Sequence, residues 1–348
     1  MEYKKFLIII FLIKQINFLS IFIMSAKVLI SVIIPTYNRS KYLLKILSIL
    51  KNNFINFKSF EIIICDSLSK DDTKLRVNVF KNNNSYLSVR YIYNLKNIHS
   101  IKRNVGVKLA KGKYIIFLDD DCFPSNTFLR DYYNLLVRND KAVYCGSVKY
   151  PASSLKNNFI KYRQSKHFVF EEKNNILINV TADKIVTMNM ALKRNIILKH
   201  KIFFNNSFNR YGFEDYEFGF RLINSGFKIV KSHPIVYHHD LRNFDLYLKK
   251  IKFLGFESMK YLINLNLAAA KNNNFYKLEN FFLVKFLLNF HIFKNLLLLI
   301  QNISIFLDKK FVYLPFIYKV ALGSAYLEGC FYRNRYNDWS NINNKWYK

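Results

Sequence analysis

The patterns that most quickly betray a function are missing here, and each absence removes a class. No GxGxxG follows the first strand-like run and no GxxxxGKS occurs, so neither a dinucleotide fingerprint nor a P-loop can cradle phosphates on glycine-rich backbone. Cys65, Cys122, Cys145 and Cys330 lack CxxC spacing, which argues against a zinc site or a disulfide frame and fits buried thiols in a reducing compartment. Phe281 to Leu307 is apolar but is interrupted by Lys285, Asn289, His291, Lys294 and Gln301. It therefore falls short of the run of about twenty apolar residues that a clean spanning helix needs. Acids are scarce: 23 Asp and Glu stand against 54 Lys and Arg, for a net charge of +31. That charge is spread along the chain rather than gathered in a basic block, which makes nucleic acid a minor option. Attraction to anionic lipid or to a phosphorylated substrate remains.

What is present begins with an apolar leader. Phe6 to Met24 reads as a membrane anchor or as sequence upstream of a start at Met24, with no small-residue cleavage pattern near Ser25-Ala26. Residues 1–27 are set apart on that basis. The rest of the 348 residues is long enough for one large α/β domain and an appendage. Val28–Ile34 is a continuous β-branched and aliphatic run of the kind buried on both faces of a parallel sheet, and Phe60–Cys65, Leu87–Tyr93 and Tyr114–Leu118 read as three further strands. Helical patterns separate them, one through Tyr42, Leu43, Ile46, Leu47 and Leu50, another through Val105 and Leu109 to a stop at Gly112. This alternation predicts an open, mostly parallel doubly wound sheet whose ligand lies beyond the carboxyl ends of its strands. Farther on, Ala142–Tyr150 and Ile185–Leu192 read as strands, and a helix through Phe218, Arg221 and Leu222 stops at Gly226. Phe227–Val230 is a short strand, and Ile235-Val236-Tyr237 precedes a polar cluster. From Phe244 to the end the chain turns to helices rich in Phe, Leu and Lys. These are either interfacial helices or a helical cap on the domain.

Polar clusters gather at the predicted strand ends: Thr36-Tyr37-Asn38, Asp66, and the triplet Asp119-Asp120-Asp121. Three adjacent carboxylates repel one another unless a cation sits among them. The triplet is thus either a site for Mg²⁺ or Mn²⁺ shared with substrate phosphates, or a charged turn before a helix starting near Pro124-Ser125. Without glycine loops, a nucleotide here would be read by side chains. Asp66 would accept from a base imide, Tyr37 would stack on the ring, and Arg103 would balance phosphate charge unless it is an ordinary surface arginine.

The order Pro35-Thr36-Tyr37-Asn38, Asp66-Ser67, Arg103-Asn104-Val105-Gly106 with Ala110-Lys111-Gly112, then Phe117-Leu118-Asp119-Asp120-Asp121 resembles glycosyltransferase family 2, over about residues 28 to 240. The resemblance implies a GT-A type nucleotide-diphospho-sugar transferase fold, an α/β catalytic domain over residues 28–243, and the composition sets residues 244–348 apart as a helical region, membrane-associated if its helices are interfacial. The resemblance also implies an inverting, metal-dependent transfer from a nucleotide-sugar to an acceptor hydroxyl. On that pattern Pro35, Thr36, Tyr37, Asn38, Asp66, Arg103, Asp119 and Asp120 bind the donor, with Asp119 at the nucleoside. Asp121 is the metal ligand of the DxD motif, and Asp120 is its variable middle position. Gly212-Phe213-Glu214-Asp215-Tyr216-Glu217-Phe218-Gly219 resembles the acceptor segment of galactosyl- and N-acetylgalactosaminyl-transferring relatives, which often carry a Trp where this chain has Tyr211 and Phe213. Direct displacement needs a carboxylate that takes the acceptor proton. The pattern assigns Asp215 as base and Glu214 to acceptor binding, and the positive end of the helix they begin favours their ionised forms. His238, or His239 one residue on, completes the shell of Mn²⁺ or Mg²⁺. The expected partners are a nucleotide-sugar (UDP-linked), a glycan or lipid-linked acceptor and the cytoplasmic face of a membrane, but no nucleic acid. Competing readings are a catalytically silent nucleotide-sugar binding protein and a basic surface binder.

Overall fold

Seven consecutive buried residues, Ile30–Thr36, make the central strand β1, and the equally apolar β2 (Phe60–Asp66) pairs with it in parallel. A computed structural model describes residues 28–93, 96–167, 179–209, 211–310 and 313–336; the leader falls outside them. The remaining strands are β3 (Ser88–Ile92), β4 (Tyr114–Leu118), β5 (Cys122–Pro124), β6 (Val143–Lys149), β7 (Asn189–Lys193) and β8 (Ile229–His238). They form one eight-stranded sheet in the order β3-β2-β1-β4-β7-β6-β8-β5. The first half is parallel throughout, as the alternation predicts. The second half is mixed: β7 runs antiparallel to both β4 and β6, and β5 runs antiparallel to β8. Helices cover both faces of the sheet over separate apolar cores, and a third core holds together the helices after Phe244.

Two predicted strands change. The run expected to be extended from Ile185 enters the sheet only at Asn189, because Ile185 and Met188 line a cleft instead of pairing. The two short runs at Phe227–Val230 and Ile235–Tyr237 are a single ten-residue strand, β8, bridged by the polar stretch Lys231 to Pro234. That stretch belongs to a bulge, since the register with β6 slips between Cys145 and Ser147. Side chains take up the backbone groups the bulge releases. The Asn189 amide donates to the Ser147 and Pro234 carbonyls, both at 3.0 Å, and the Ser147 hydroxyl donates to the Ser232 carbonyl at 3.1 Å. Tyr132 in turn donates its hydroxyl to the Asn189 side chain at 2.5 Å.

Asn189→Ala would take their shared amide donor from two buried carbonyls, while the Tyr132 hydroxyl would keep its 3.1 Å bond to the backbone carbonyl of residue 189. Each orphaned buried group costs about 1–3 kcal/mol. The variant should lose roughly 3 kcal/mol or more of unfolding free energy in urea melts, and an unchanged midpoint would contradict the role given to this amide.

Candidate active site

The triplet leaves β4 as a tight turn: the Asp119 amide donates to the Met188 carbonyl at 3.3 Å and the Cys122 amide to Asp119 at 3.1 Å. β5 then pairs Cys122 directly with His238, and the His239 amide donates to the Asp121 carbonyl at 2.8 Å. This ladder carries His238 Nε2 to 3.6 Å from Asp121 Oδ1, across 117 residues of chain by the numbering, while the other oxygen of Asp121 takes the Arg39 guanidinium at 2.9 Å. One ligand atom each from Asp121, Cys122 and His238 lie within 4.8 Å of one another. Burial pushes the Cys122 thiol well up, with Asp121 adding to it, so sulfur is kept protonated there. Burial pushes His238 down to about 3, with Arg163 adding to it, and its Nδ1 has no hydrogen-bond partner among the described residues. A neutral imidazole facing a carboxylate is donor chemistry suited to a divalent cation, and Asp121 and His238 fit that group. His239 points elsewhere. It packs on Phe123 at 4.0 Å between ring centres and lines a separate cavity of about 390 Å³.

The middle acid has a different environment. Asp120 accepts from the Thr36 hydroxyl at 2.8 Å and is pushed up to about 7, by burial first, with Arg39 opposing and Asp121 reinforcing. Beneath it the buried Lys102 donates to the Thr36 carbonyl at 3.2 Å and to Asn97 at 3.1 Å; burial pushes its ammonium down to about 8.

Arg103 is no surface arginine. Its side chain is only 3% exposed, and its guanidinium donates to Asp119 and to Asp215, both at 3.1 Å, with Glu214 at 3.9 Å. Both acids on the far side begin the helix Glu214–Asn224, entered through a turn with Gly212 at φ +105° and Phe213 at φ +65°. Two successive left-handed residues reverse the chain sharply enough to aim the first turn of this helix at Arg103, and only at Gly212 is that conformation free of a side-chain penalty. The helix end does not hold Glu214 ionised as expected. Burial, reinforced by Asp215, pushes it up to about 7, because removal from water outweighs the helix terminus.

Pro35, Arg103, Asp119, Asp120, Asp121, Glu214, Asp215 and His238 all line one cleft of about 1410 Å³. Thr36, Tyr37, Asn38 and Asp66 stand beside it without lining it. Asp66 is fully buried and accepts from the Ser69 amide at 3.2 Å, from its hydroxyl at 2.6 Å, and from the Tyr91 hydroxyl. Asn38, at φ +53°, accepts from the Lys70 amide at 2.7 Å, so these residues tie two loops together. Sequence reading missed Arg39 and Lys102, each beside a recognised motif residue. It also missed a basic group that lines the same cleft. There Arg163 and Arg242 bond Asp240 at 3.0 and 2.6 Å, and Lys250 sits 4.0 Å over the Tyr211 ring. Burial, with Arg242 adding, pushes Lys250 down to about 7. Nothing in the spacing of these four residues announces that they meet.

Residues 31–201 match the family described as Glycosyl transferase family 2. The chain is 28% identical over 243 residues to a chondroitin synthase of Escherichia coli, covering 61% of this chain and 34% of that protein. It is 28% identical over 178 residues to the poly(ribitol-phosphate) beta-N-acetylglucosaminyltransferase TarP of Staphylococcus aureus, covering 50% of this chain and 52% of that one. It thus spans a third to a half of the length of these relatives. A crystal structure of S. aureus TarS 1-349 in complex with UDP superposes with a TM-score of 0.50 at 17% identity, covering 89% of this chain and 93% of the other. That likeness carries the fold, a GT-A type sheet with a C-terminal helical region.

Removing one partner of a buried ion cluster leaves uncompensated charge and costs roughly 3–5 kcal/mol. Arg103→Gln should therefore destabilise the protein by that order, and adding Asp119→Asn should restore part of the loss in thermal melts. Additive losses would mean that the two groups do not interact.

Proposed function

We propose that this chain, a glycosyltransferase built on a family 2 domain with the GT-A fold, is an inverting, metal-dependent enzyme. In this reading it moves a sugar from a UDP-linked donor to an acceptor hydroxyl in surface polysaccharide or glycolipid synthesis, attached peripherally at the cytoplasmic face of a membrane. One observation carries the reading: Arg103 ties Asp119, at the donor end, to Asp215 across a single cleft that also receives Asp121 and His238. A relative named as a chondroitin synthase and one named as acting on poly(ribitol phosphate) support a polymeric acceptor. A neighbour of the same fold solved with UDP supports the nucleotide.

Asp121 and His238 would hold the divalent ion, which when bound offsets the charge that builds on the departing nucleoside diphosphate. Asp119 contacts the nucleoside, and the Pro35–Asn38 turn and Asp66 shape its pocket. Asp215 takes the acceptor proton as the new bond to the sugar forms and the bond to the diphosphate breaks on the opposite face, which inverts the sugar carbon. Glu214, near half-protonation at neutral pH, can either donate to or accept from an acceptor hydroxyl. The Gly212–Gly219 segment that carries both acids is assigned to the acceptor sugar, of the galactosyl or N-acetylgalactosaminyl class.

The deciding experiment is donor turnover and UDP-dependent thermal shift, with and without Mn²⁺, in Asp121→Ala and Asp215→Asn. Asp215→Asn should keep the shift and lose roughly 10²–10⁴-fold in turnover, the usual worth of a general base. Asp121→Ala should lose the Mn²⁺-dependent part of the shift. Unchanged turnover in both variants would overturn the assignment.

A further inference from the structure

The helix His291–Lys309 buries two polar residues and leaves several of its large apolar side chains exposed. Its buried positions are Leu297, Gln301 and Ser304, with Gln301 donating to Glu328 at 2.9 Å and Ser304 to the Ile300 carbonyl at 2.7 Å. Outward, at spacings of four and three, stand Ile292, Leu296, Leu299, Ile303 and Phe306, all exposed. An apolar stripe on the solvent side of a helix that buries Gln301 and Ser304 calls for a partner.

The stripe is continuous in sequence with more of the same on both sides. The short helix Phe282–Leu287 buries none of its residues, and Phe282 is 84% exposed. Phe281, Phe286 and Phe290 are exposed beside it, and Phe316, at the start of the helix Pro315–Arg333, is 74% exposed. The charges interspersed with these residues have one sign. Between Phe281 and Lys319 the chain holds five lysines and a single aspartate, Asp308, which already accepts from the Tyr318 hydroxyl at 2.6 Å. No helix among the described residues is long and apolar enough to cross a membrane.

We propose that this face, from Phe281 to Phe316, lies flat on a bilayer bearing anionic headgroups, with its Phe, Leu and Ile side chains sunk below the lysines. A second copy of the chain is the poorer occupant. A helix-pairing seam is narrow and flanked by charges of both signs, whereas this face spreads over successive helices and would set lysine against lysine. The proposal deepens the peripheral attachment in the functional reading and is separable from its chemistry.

The test is flotation of the full chain with vesicles of phosphatidylcholine plus phosphatidylglycerol, against phosphatidylcholine alone. The protein should float with the anionic vesicles and be released by salt. The triple variant Phe282→Asp/Ile292→Asp/Phe316→Asp should bind about tenfold or more weakly, with its melting temperature and UDP–Mn²⁺ thermal shift unchanged. Lys285→Glu/Lys309→Glu, at exposed polar positions that leave packing alone, should weaken binding to anionic vesicles specifically. A native chain that stays with neither vesicle, or variants that float as it does, would overturn the proposal. So would a concentration-dependent dimer in sedimentation that the triple variant abolishes. Flotation retained without any UDP–Mn²⁺ shift would sink the transferase reading and leave the docking face standing.

Discussion

A guanidinium stays charged at any pH a protein meets, so an arginine buried to 3% must be answered by carboxylates wherever the fold can supply them. Arg103 is answered from two directions, by the strand-end Asp119 and by Asp215 at a helix start. It reaches that position because its helix, His99–Leu109, packs hard on β1: a Cβ on Gly106 would meet Ile33 at 2.3 Å. The close approach at Gly106 and the ion cluster are two ends of one constraint. Asp215 and Asp119 hold the guanidinium charged against burial, and the third acid, Glu214, is raised to about 7 by burial with Asp215 adding, an effect that Arg103 at 3.9 Å only partly offsets. One fixed cation thereby gives two neighbouring carboxyls unlike environments, the condition under which a pair of acids can take separate roles.

The other end of the triplet is governed by shortage. Asp120 and Asp121 are both raised by burial, and Arg39, itself partly in solvent, is the cation that faces them. A divalent ion held by Asp121 and His238 would take over that task with a charge Arg39 cannot match, and in the proposed reaction it would offset the charge of a diphosphate. The two cations divide the triplet. The buried Arg103 belongs to Asp119, while Asp121 pairs with Arg39, whose side chain is 37% exposed and lines the cleft.

The half of the sheet made from apolar runs was legible because the runs are short, rich in Ile and Val and separated by helical patterns, with polar clusters at the ends of three of them. The strand-end clusters followed from it. What could not be read depended on register. His238 and His239 are interchangeable in sequence, yet neighbouring residues of a strand point to opposite faces, and only the pairing of Cys122 with His238 fixes which one meets Asp121. The single strand β8 was hidden because Lys231, Ser232 and His233 read as a loop, when they are a bulge satisfied by Ser147, Ser232 and Asn189. Asp66 was visible as an acid at a strand end but not as one occupied by Ser69 and Tyr91. Arg103 and Asp215 lie 112 residues apart, and Arg163 and Asp240 lie 77 apart. No local pattern encodes contacts of that span.

The helices after Phe244 are joined to the site by contacts too close to slide. Lys252 pairs with the buried Glu328 at 2.7 Å, and a Cβ on Gly255 or Gly329 would meet the Tyr326 or Lys252 carbonyl oxygen at 2.0 Å. Such contacts lock the helix Pro315–Arg333 against the one that begins at Phe244. Just beyond that crossing, the Ser258 hydroxyl donates to the Tyr211 carbonyl at 2.5 Å, directly before the turn that aims Glu214 and Asp215. At its other end Pro315–Arg333 carries the exposed Phe316, and one turn on, Lys319 already lines the cleft. If Phe316 rests on lipid, the part of the cleft that Lys319 lines stands within a helical turn of the bilayer surface. In the proposed function a lipid-linked acceptor would then enter the cleft from the side of this helix, which ties the docking face to the reaction through packing and not through a separate anchor.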